Sequence, residues 1–212
     1  QLTGQLDVDA LKKALGAIVA RHEVLRTVYA ISDSGEPCQR IREQVSIPFS
    51  TVDLRDIPSA SRARRVRELA EAEANKPFDL RQDAMLRLAV LVLGFEEHVL
   101  LLTMHHIASD GWSQNVLVNE FVTLYRAFKD GQPLALPSLP VQYADFAQWQ
   151  RGWLQGEVLD RQLNYWLRQL AALPQVHRLP LDFPRPDVQR FDGAMLDQKF
   201  DPALSERLHA LS

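Results

Sequence analysis

A single cysteine, Cys38, in a chain of 212 residues excludes an intramolecular disulfide and fits a reducing compartment, so the cytoplasm is the expected location. No apolar run approaches the roughly 18 residues that a membrane-spanning helix needs. Basic charge is not in excess. Twenty-four Lys and Arg against 27 Asp and Glu give a net charge of −3, which supplies no field for nucleic acid or an anionic membrane. Six histidines are present, but none form the HExxH helical pair of a zinc enzyme. His22, His98, His177 and His209 make no cluster in sequence, and one thiol cannot complete a thiolate set, so no metal is expected. The GxSxG elbow is also missing, which argues against Ser109 or Ser113 as a nucleophile. Internal repeats and low-complexity tracts are lacking. What remains is a composition of 46% hydrophobic and 24% charged residues, that of a globular domain long enough for a sizeable core.

The most informative stretch is Met104-His105-His106-Ile107-Ala108-Ser109-Asp110-Gly111-Trp112-Ser113. Before it, Val99 to Met104 is a nearly unbroken apolar run of strand length. After it, Leu117, Phe121, Leu124, Tyr125 and Phe128 recur at helical spacing, and Gly131 follows as a stop. Two adjacent imidazoles, an acid and a glycine thus share one strand-to-helix turn, where α/β proteins tend to place chemistry. Side chains alternate along a strand, so His105 and His106 cannot both reach one substrate. His106, last before the loop, is read as the working group, an imidazole able to accept a proton. His105 is expected to pack and hydrogen-bond behind the turn. Gly111 would allow a tight turn and a close approach of backbone N–H groups to a ligand. The alternative is a pair of core histidines beside a helix-capping Asp110.

Along the chain, Asp7 is a predicted N-cap for a helix with Leu11, Leu15, Ile18, Val19 and His22 on one face. Residues 25–32 read as a strand, with Ser34-Gly35 as a turn into a second near 39–42. Arg21 and Arg26 flank that helix-to-strand passage, with surface charge as the plain reading of both. Residues 58–75 read as a charged helix, with Arg62, Arg64, Arg65 and Arg67 early and Glu68, Glu71 and Glu73 late. That order opposes the helix dipole and suits a solvated face. Residues 86–93 and 99–104 flank Gly94-Phe95-Glu96-Glu97 as a β-hairpin. Prolines from 133 to 140 mark an ordered connector. Helices are expected over 143–155 and 157–172, with Trp149, Trp153, Tyr165 and Trp166 packing between helices. A further proline-rich segment, 174–192, precedes a predicted strand at 194–200 and a helix from 202 to 211.

The segment HHIASDGWS resembles the HHxxxDG signature of condensation domains from nonribosomal peptide synthetases. Two other elements agree in order. Arg21 to Tyr29 resembles RHExLRTxF, and Tyr143 to Trp149 resembles YxDFAxW. Weaker echoes lie at Pro77-Phe78-Asp79-Leu80, Met85-Leu86-Arg87, Leu179-Pro180-Leu181-Asp182 and Pro184-Arg185-Pro186. HHxxxD alone also occurs across the wider superfamily of chloramphenicol acetyltransferase, whereas three ordered elements are far more specific. The family's opening SxAQxRLW-type motif and the later motifs of its second lobe are absent. The resemblance therefore implies an α/β, chloramphenicol-acetyltransferase-like lobe, a mixed β-sheet flanked by helices, truncated before most of the second lobe. The expected divisions are 1–173 for the amino-terminal lobe, 174–193 for the crossover and 194–212 for the start of the second lobe.

The resemblance also implies a chemistry. The intact enzyme would form a peptide bond between aminoacyl or peptidyl thioesters, each tethered through phosphopantetheine to a donor or acceptor peptidyl carrier protein. No cofactor would bind directly. The remaining second lobe and an adjacent adenylation domain are the other expected partners, and the fragment alone is expected to be inactive. His106 would bond the attacking amine, as base or as positioning group, and Gly111 would offer an oxyanion donor. Asp110 would pair with a buried arginine, Arg21 or Arg26, and His105 would support the turn. The SDGWS and RHExLRT forms resemble the L-donor/L-acceptor subtype. Heterocyclisation relatives carry DxxxxD instead, and epimerisation relatives usually differ around the glycine and tryptophan. The charged helix at 58–75, if it docks anything, would meet the acidic carrier protein. Two other readings stand beside this one: a coenzyme A-dependent acyltransferase of the same superfamily, and a non-catalytic carrier-protein docking module.

Overall fold

The computed structural model describes residues 1–134, 136–174, 179–188, 196 and 198–211. The chain divides into two compact units, Gln1–Gln162 and Leu163–Ser212. No helix among the described residues is long and apolar enough to cross a membrane.

The first unit opens with a short strand β1 (Leu2–Thr3) and helix α1 (Val8–Arg21). Asp7 caps α1 as its sequence position predicts, accepting the Ala10 N–H at 2.9 Å. The i, i+3, i+4 stripe of Leu11, Ala14, Leu15, Ile18 and Val19 is wholly buried. A 3₁₀ turn at Glu23–Arg26 then leads into β2 (Thr27–Ile31), which pairs antiparallel with β3 (Pro37–Ile41) in a separate two-stranded sheet. The strand expected from residue 25 therefore starts two residues later. Thr27 Oγ1 donates to the Glu23 carbonyl at 2.7 Å, which closes the turn first. Gly35 takes φ +82° in the connecting turn, a conformation that glycine adopts without strain.

The main sheet has the order β1-β6-β5-β4. Strand β4 (Phe49–Asp53) is parallel to β5 (Leu86–Val92), and the helix α2 (Ser59–Asn75) is the crossover between them. Strand β6 (Glu97–Met104) returns antiparallel from β5, in register from Leu86 opposite Met104 to Val92 opposite His98. The predicted hairpin is thus present, and the sheet is mixed, as the α/β expectation requires. Strands β1 and β4 have no clear signal in the sequence; each is short, and Phe49-Ser50-Thr51-Val52-Asp53 carries polar residues among its apolar ones.

Period-2 alternation sends β5 side chains to two different cores. Leu86, Leu88 and Val90 join the α1 stripe and Leu117 and Leu124 of helix α3 (Gly111–Asp130). Leu91, with Leu54 and Leu93, faces the other way and is covered by Val66 and Leu69 of α2. Burial on both faces explains why β5 is apolar at every position but Arg87. The arginine-rich side of α2 is solvated, with Arg64 and Arg65 both meeting Glu68. α3 ends at Gly131, in the left-handed conformation at φ 63°, where the sequence places a stop.

Helix α4 (Tyr143–Trp153) follows, and helix α5 (Gly156–Leu170) runs from the first unit into the second. The aromatic residues there depart from expectation. Trp149, Trp153, Tyr165 and Trp166 are 56%, 48%, 48% and 54% exposed instead of packed in a core. Their partners lie within their own helices: Trp149 stacks on Trp153, with centroids 5.5 Å apart, and Tyr165 meets Trp166 edge-on at 5.2 Å. Residues at i and i+4 share a helix face, so Trp149 and Trp153 can stack without a second element. In the second unit, α6 (Pro202–Leu211) is present as predicted. The strand expected at 194–200 falls partly outside the described residues, and residues 196 and 198–200 are not in a strand.

Leu88, 3% exposed between α1 and α3, should be a sensitive probe of this arrangement. Leu88→Ala is expected to lower unfolding stability by about 2–5 kcal/mol in urea titrations. Arg64→Ala, on the solvated side of α2, should stay within about 0.5 kcal/mol of the parent.

Candidate functional site

Strand β6 stops at Met104, so the two histidines lie at the strand's exit and in the turn that follows. They still separate. His105 continues the side of the sheet that faces α2: its ring meets the Phe78 ring edge-on, with centroids 5.6 Å apart and planes at 80°. Its Nδ1 accepts the Ile107 N–H at 3.0 Å, which places the proton of the neutral ring on Nε2. The His105 carbonyl accepts from Ala108 N–H at 3.0 Å and from Ser109 Oγ at 3.2 Å, and its own N–H donates to the Met85 carbonyl at 3.1 Å. His105 therefore braces the turn from behind.

His106 is exposed and lines an open cleft of about 290 Å³ with Val24, Ser109, Asp110, Ser113 and Tyr143. A neighbouring, largely apolar cleft of about 180 Å³ shares Val24, Ala108, Ser109 and Ser113 and is bordered by His22, Met104 and Trp112. Trp112 is 83% exposed at that rim. Three elements separated in sequence thus meet around the turn: the 3₁₀ turn through Val24, the start of α3, and the start of α4 through Tyr143.

Asp110 departs from the expected role. Its carboxylate is the N-cap of α3, with Oδ1 accepting the Ser113 N–H at 2.8 Å, while the Asp110 N–H donates to Ser113 Oγ at 2.7 Å. These bonds from Ser113, then one from the Trp112 N–H and the proximity of His106, hold the Asp110 carboxyl below its ordinary range. Asp110 forms no ion pair with Arg21 or Arg26. Arg21 Nε instead donates to Glu120 Oε1 at 3.1 Å, and Arg26 Nη2 meets Glu23 Oε1 at 3.3 Å. One reason is local, a carboxylate at the N-cap position satisfying helix N–H groups that are otherwise unpaired, and the other is tertiary, Glu120 on α3 facing the end of α1. The capping alternative for Asp110 is the one observed.

Gly111 opens α3 with no positive φ, and a Cβ placed there would meet nothing within 4 Å. The turn does not need a glycine for its backbone shape. Its N–H does lie in the first turn of α3, among donors without intrahelical acceptors.

Other residues have no clear signal in the sequence. Glu120 also bonds His22 Nε2 at 2.6 Å, so one carboxylate joins Arg21 and His22 to α3. Gln142 accepts the Glu23 N–H at 3.2 Å and donates to the Arg21 carbonyl at 2.9 Å, clamping the start of α4 onto the end of α1. Arg87 is 4% exposed inside β5 and pairs with Glu73 at 2.7 Å. A charge set between apolar neighbours, as in Leu86-Arg87-Leu88, and the family echo at Met85-Leu86-Arg87 single out Arg87, while nothing in sequence pairs it with Glu73. Nothing in sequence singles out Gln142 or Glu120.

The family model of the condensation domain matches residues 1–212. The chain belongs to the condensation-domain family. It is 45% identical over its whole length to a linear gramicidin synthase of Brevibacillus parabrevis, of which it covers 3%. It is 41% identical over 186 residues, 88% of its length, to phosphinothricin tripeptide synthetase PhsC of Streptomyces viridochromogenes, covering 17% of that protein. Among solved structures it resembles the X-domain from teicoplanin biosynthesis, alone and in complex with OxyB. The TM-score is 0.75 and the identity 32%, over 88% of this chain and 41% of the isolated X-domain chain or 40% of that in the complex. The chain thus spans a small part of these synthetases and under half of that structural relative.

Substitutions at two positions separate the electrostatic roles. Asp110→Ala should lower the melting temperature modestly, because it removes an exposed helix cap and orphans no buried cation; Asp110→Asn should restore most of the loss. The Asp110 carboxyl is lowered in the folded state, so its contribution is full above the ordinary carboxylate pKa and disappears as pH falls through the lowered value. The stability gap between parent and Asp110→Asn should therefore close on acidification, read from melts across that range. Glu120→Ala, which leaves both Arg21 and His22 without their partner, should cost about 1.5–3 kcal/mol in denaturant titration.

Proposed function

We propose that this chain carries the catalytic turn of a peptide-bond-forming condensation domain. The observation that carries the reading is the division of labour in the turn: His105 is committed to Phe78 and Ile107, and His106 is left to an open cleft. Relatives named as a gramicidin synthase and a tripeptide synthetase support the substrate class. Residues 1–173 form the amino-terminal lobe in this reading, 174–193 the crossover and 194–212 the start of the second lobe. Donor and acceptor carrier proteins present aminoacyl or peptidyl thioesters on phosphopantetheine, and the second lobe and an adenylation domain complete the assembly. The SDGWS form supports the L-donor/L-acceptor subtype. The single cysteine supports a cytoplasmic setting.

In the reaction the acceptor amine attacks the donor thioester carbonyl. A C–N bond forms, the C–S bond breaks, and the amine proton leaves with the pantetheine thiol. His106 hydrogen-bonds the amine and orients or deprotonates it. The amino end of α3, with the Gly111 N–H in its first turn, is the proposed donor region for the developing oxyanion. Asp110 and Ser113 hold that helix start in place through their reciprocal caps.

His106→Ala in the full-length protein is expected to lower peptide-bond formation by about 10²–10⁴-fold while leaving melts and carrier-protein affinity near parental. His105→Ala should lower thermal stability first and activity only with it. A well-folded, inactive His105→Ala beside an active His106→Ala would reverse the assignment. The coenzyme A-dependent reading predicts thiol release from free acyl-CoA. A pure docking module predicts carrier-protein binding without turnover, and the complex of the X-domain with OxyB is the observation that keeps a partner-binding role in view.

A further inference from the structure

Arg87 is the most deeply buried cation among the described residues, and its surroundings lead to the histidine turn. Every nitrogen of its guanidinium is engaged. Nε donates to Glu73 Oε1 at 2.7 Å, Nη1 to the Pro77 carbonyl at 3.0 Å, and Nη2 to the Lys76 and Glu73 carbonyls at 2.8 and 3.2 Å. Those carbonyls close the carboxyl end of α2, where the helix dipole favours a cation. The edges of the guanidinium are thereby fixed, and its flat face is turned to a ring. Its Cζ lies 3.7 Å from the centroid of Phe78. Phe78 in turn meets His105 at 80°.

Sheet register explains why these three groups meet. Arg87 on β5 stands opposite Thr103 on β6, and His105 lies two residues beyond Thr103. Side chains two apart project to the same face, so Arg87 and His105 are diagonal neighbours with Phe78 between them. The orientation of Phe78 limits the rotation of the His105 ring. That rotation determines whether Nδ1 can accept the Ile107 N–H, the bond that shapes the turn carrying His106.

We infer that Arg87 is a positioning residue for the reaction, acting through Phe78 on His105 and so on the placement of His106. The inference rests on the proposed function only for its catalytic readout. The role is geometric and requires the planar face of arginine, which lysine lacks.

The test uses Arg87→Lys, Phe78→Leu, the double variant and the ring-retaining Phe78→Tyr in the full-length protein. Carrier-bound aminoacyl substrates report kcat and KM, and imidazole nitrogen NMR reports the His105 tautomer. Each of Arg87→Lys and Phe78→Leu should lower kcat by about 10–100-fold and leave KM within about twofold. The double variant should be no slower than the slower single variant, and Phe78→Tyr should remain near parental. The His105 signals should lose the distinct acceptor-Nδ1 pattern in step with kcat. Multiplicative losses in the double variant would overturn the inference, as would parental kcat with unchanged His105 signals in folded Arg87→Lys. If Arg87→Lys does not fold, Phe78→Leu against Phe78→Tyr decides by the same two readouts. A parent that forms no peptide defeats the proposed function instead, and the His105 signals still decide the relay.

Discussion

The antiparallel pairing of β5 with β6 governs the rest of the molecule. Its register puts Met104 opposite Leu86 and so determines where the strand ends and the turn begins. Because side chains alternate, the same pairing assigns one face of the sheet to α1 and α3 and the other to α2. A slip of β5 by one residue would exchange its two faces and turn Arg87 toward the leucines of α1 and α3. The separation of the two histidines is the last step of this alternation, carried one residue past the strand. Charge in the interior is tolerated because it follows the same pattern: Arg87 projects toward the end of α2, where carbonyls are available to receive it.

Much of this is legible in the sequence because it rests on periodicity and caps. The stripe of α1, the Asp7 cap, the β5–β6 hairpin, α3 and its Gly131 stop all follow from local patterns. Strands β1 and β4 are of another kind. β1 has two residues and β4 is paired in parallel to a strand more than thirty residues later, so neither announces itself locally. The start of β2 is displaced by a tighter turn whose hydrogen bond links Thr27 to Glu23.

Electrostatic partners are the least legible part. An acid after a buried strand and two nearby arginines suggest one ion pair, and the structure distributes them over three separate contacts. Asp110 serves helix N–H groups, Arg21 shares Glu120 with His22, and Arg26 turns to Glu23. Such pairings depend on which helix faces which, a tertiary fact that no spacing along α1 or α3 contains. The aromatic residues of α4 show the same limit in reverse. Their chemistry suggests a core, while their spacing of three and four residues lets them satisfy one another on a single helix.

The turn from His105 to Asp110 is closed at both ends by bonds made within it and to Ser113. Its backbone freedom is therefore surrendered during folding, when the sheet and α3 are already gaining buried surface. In the proposed function, a substrate arriving at His106 would meet a loop with little left to order. The affinity of such a site need not carry an ordering penalty, and small losses of turn rigidity should surface as slower chemistry before they surface as weaker binding.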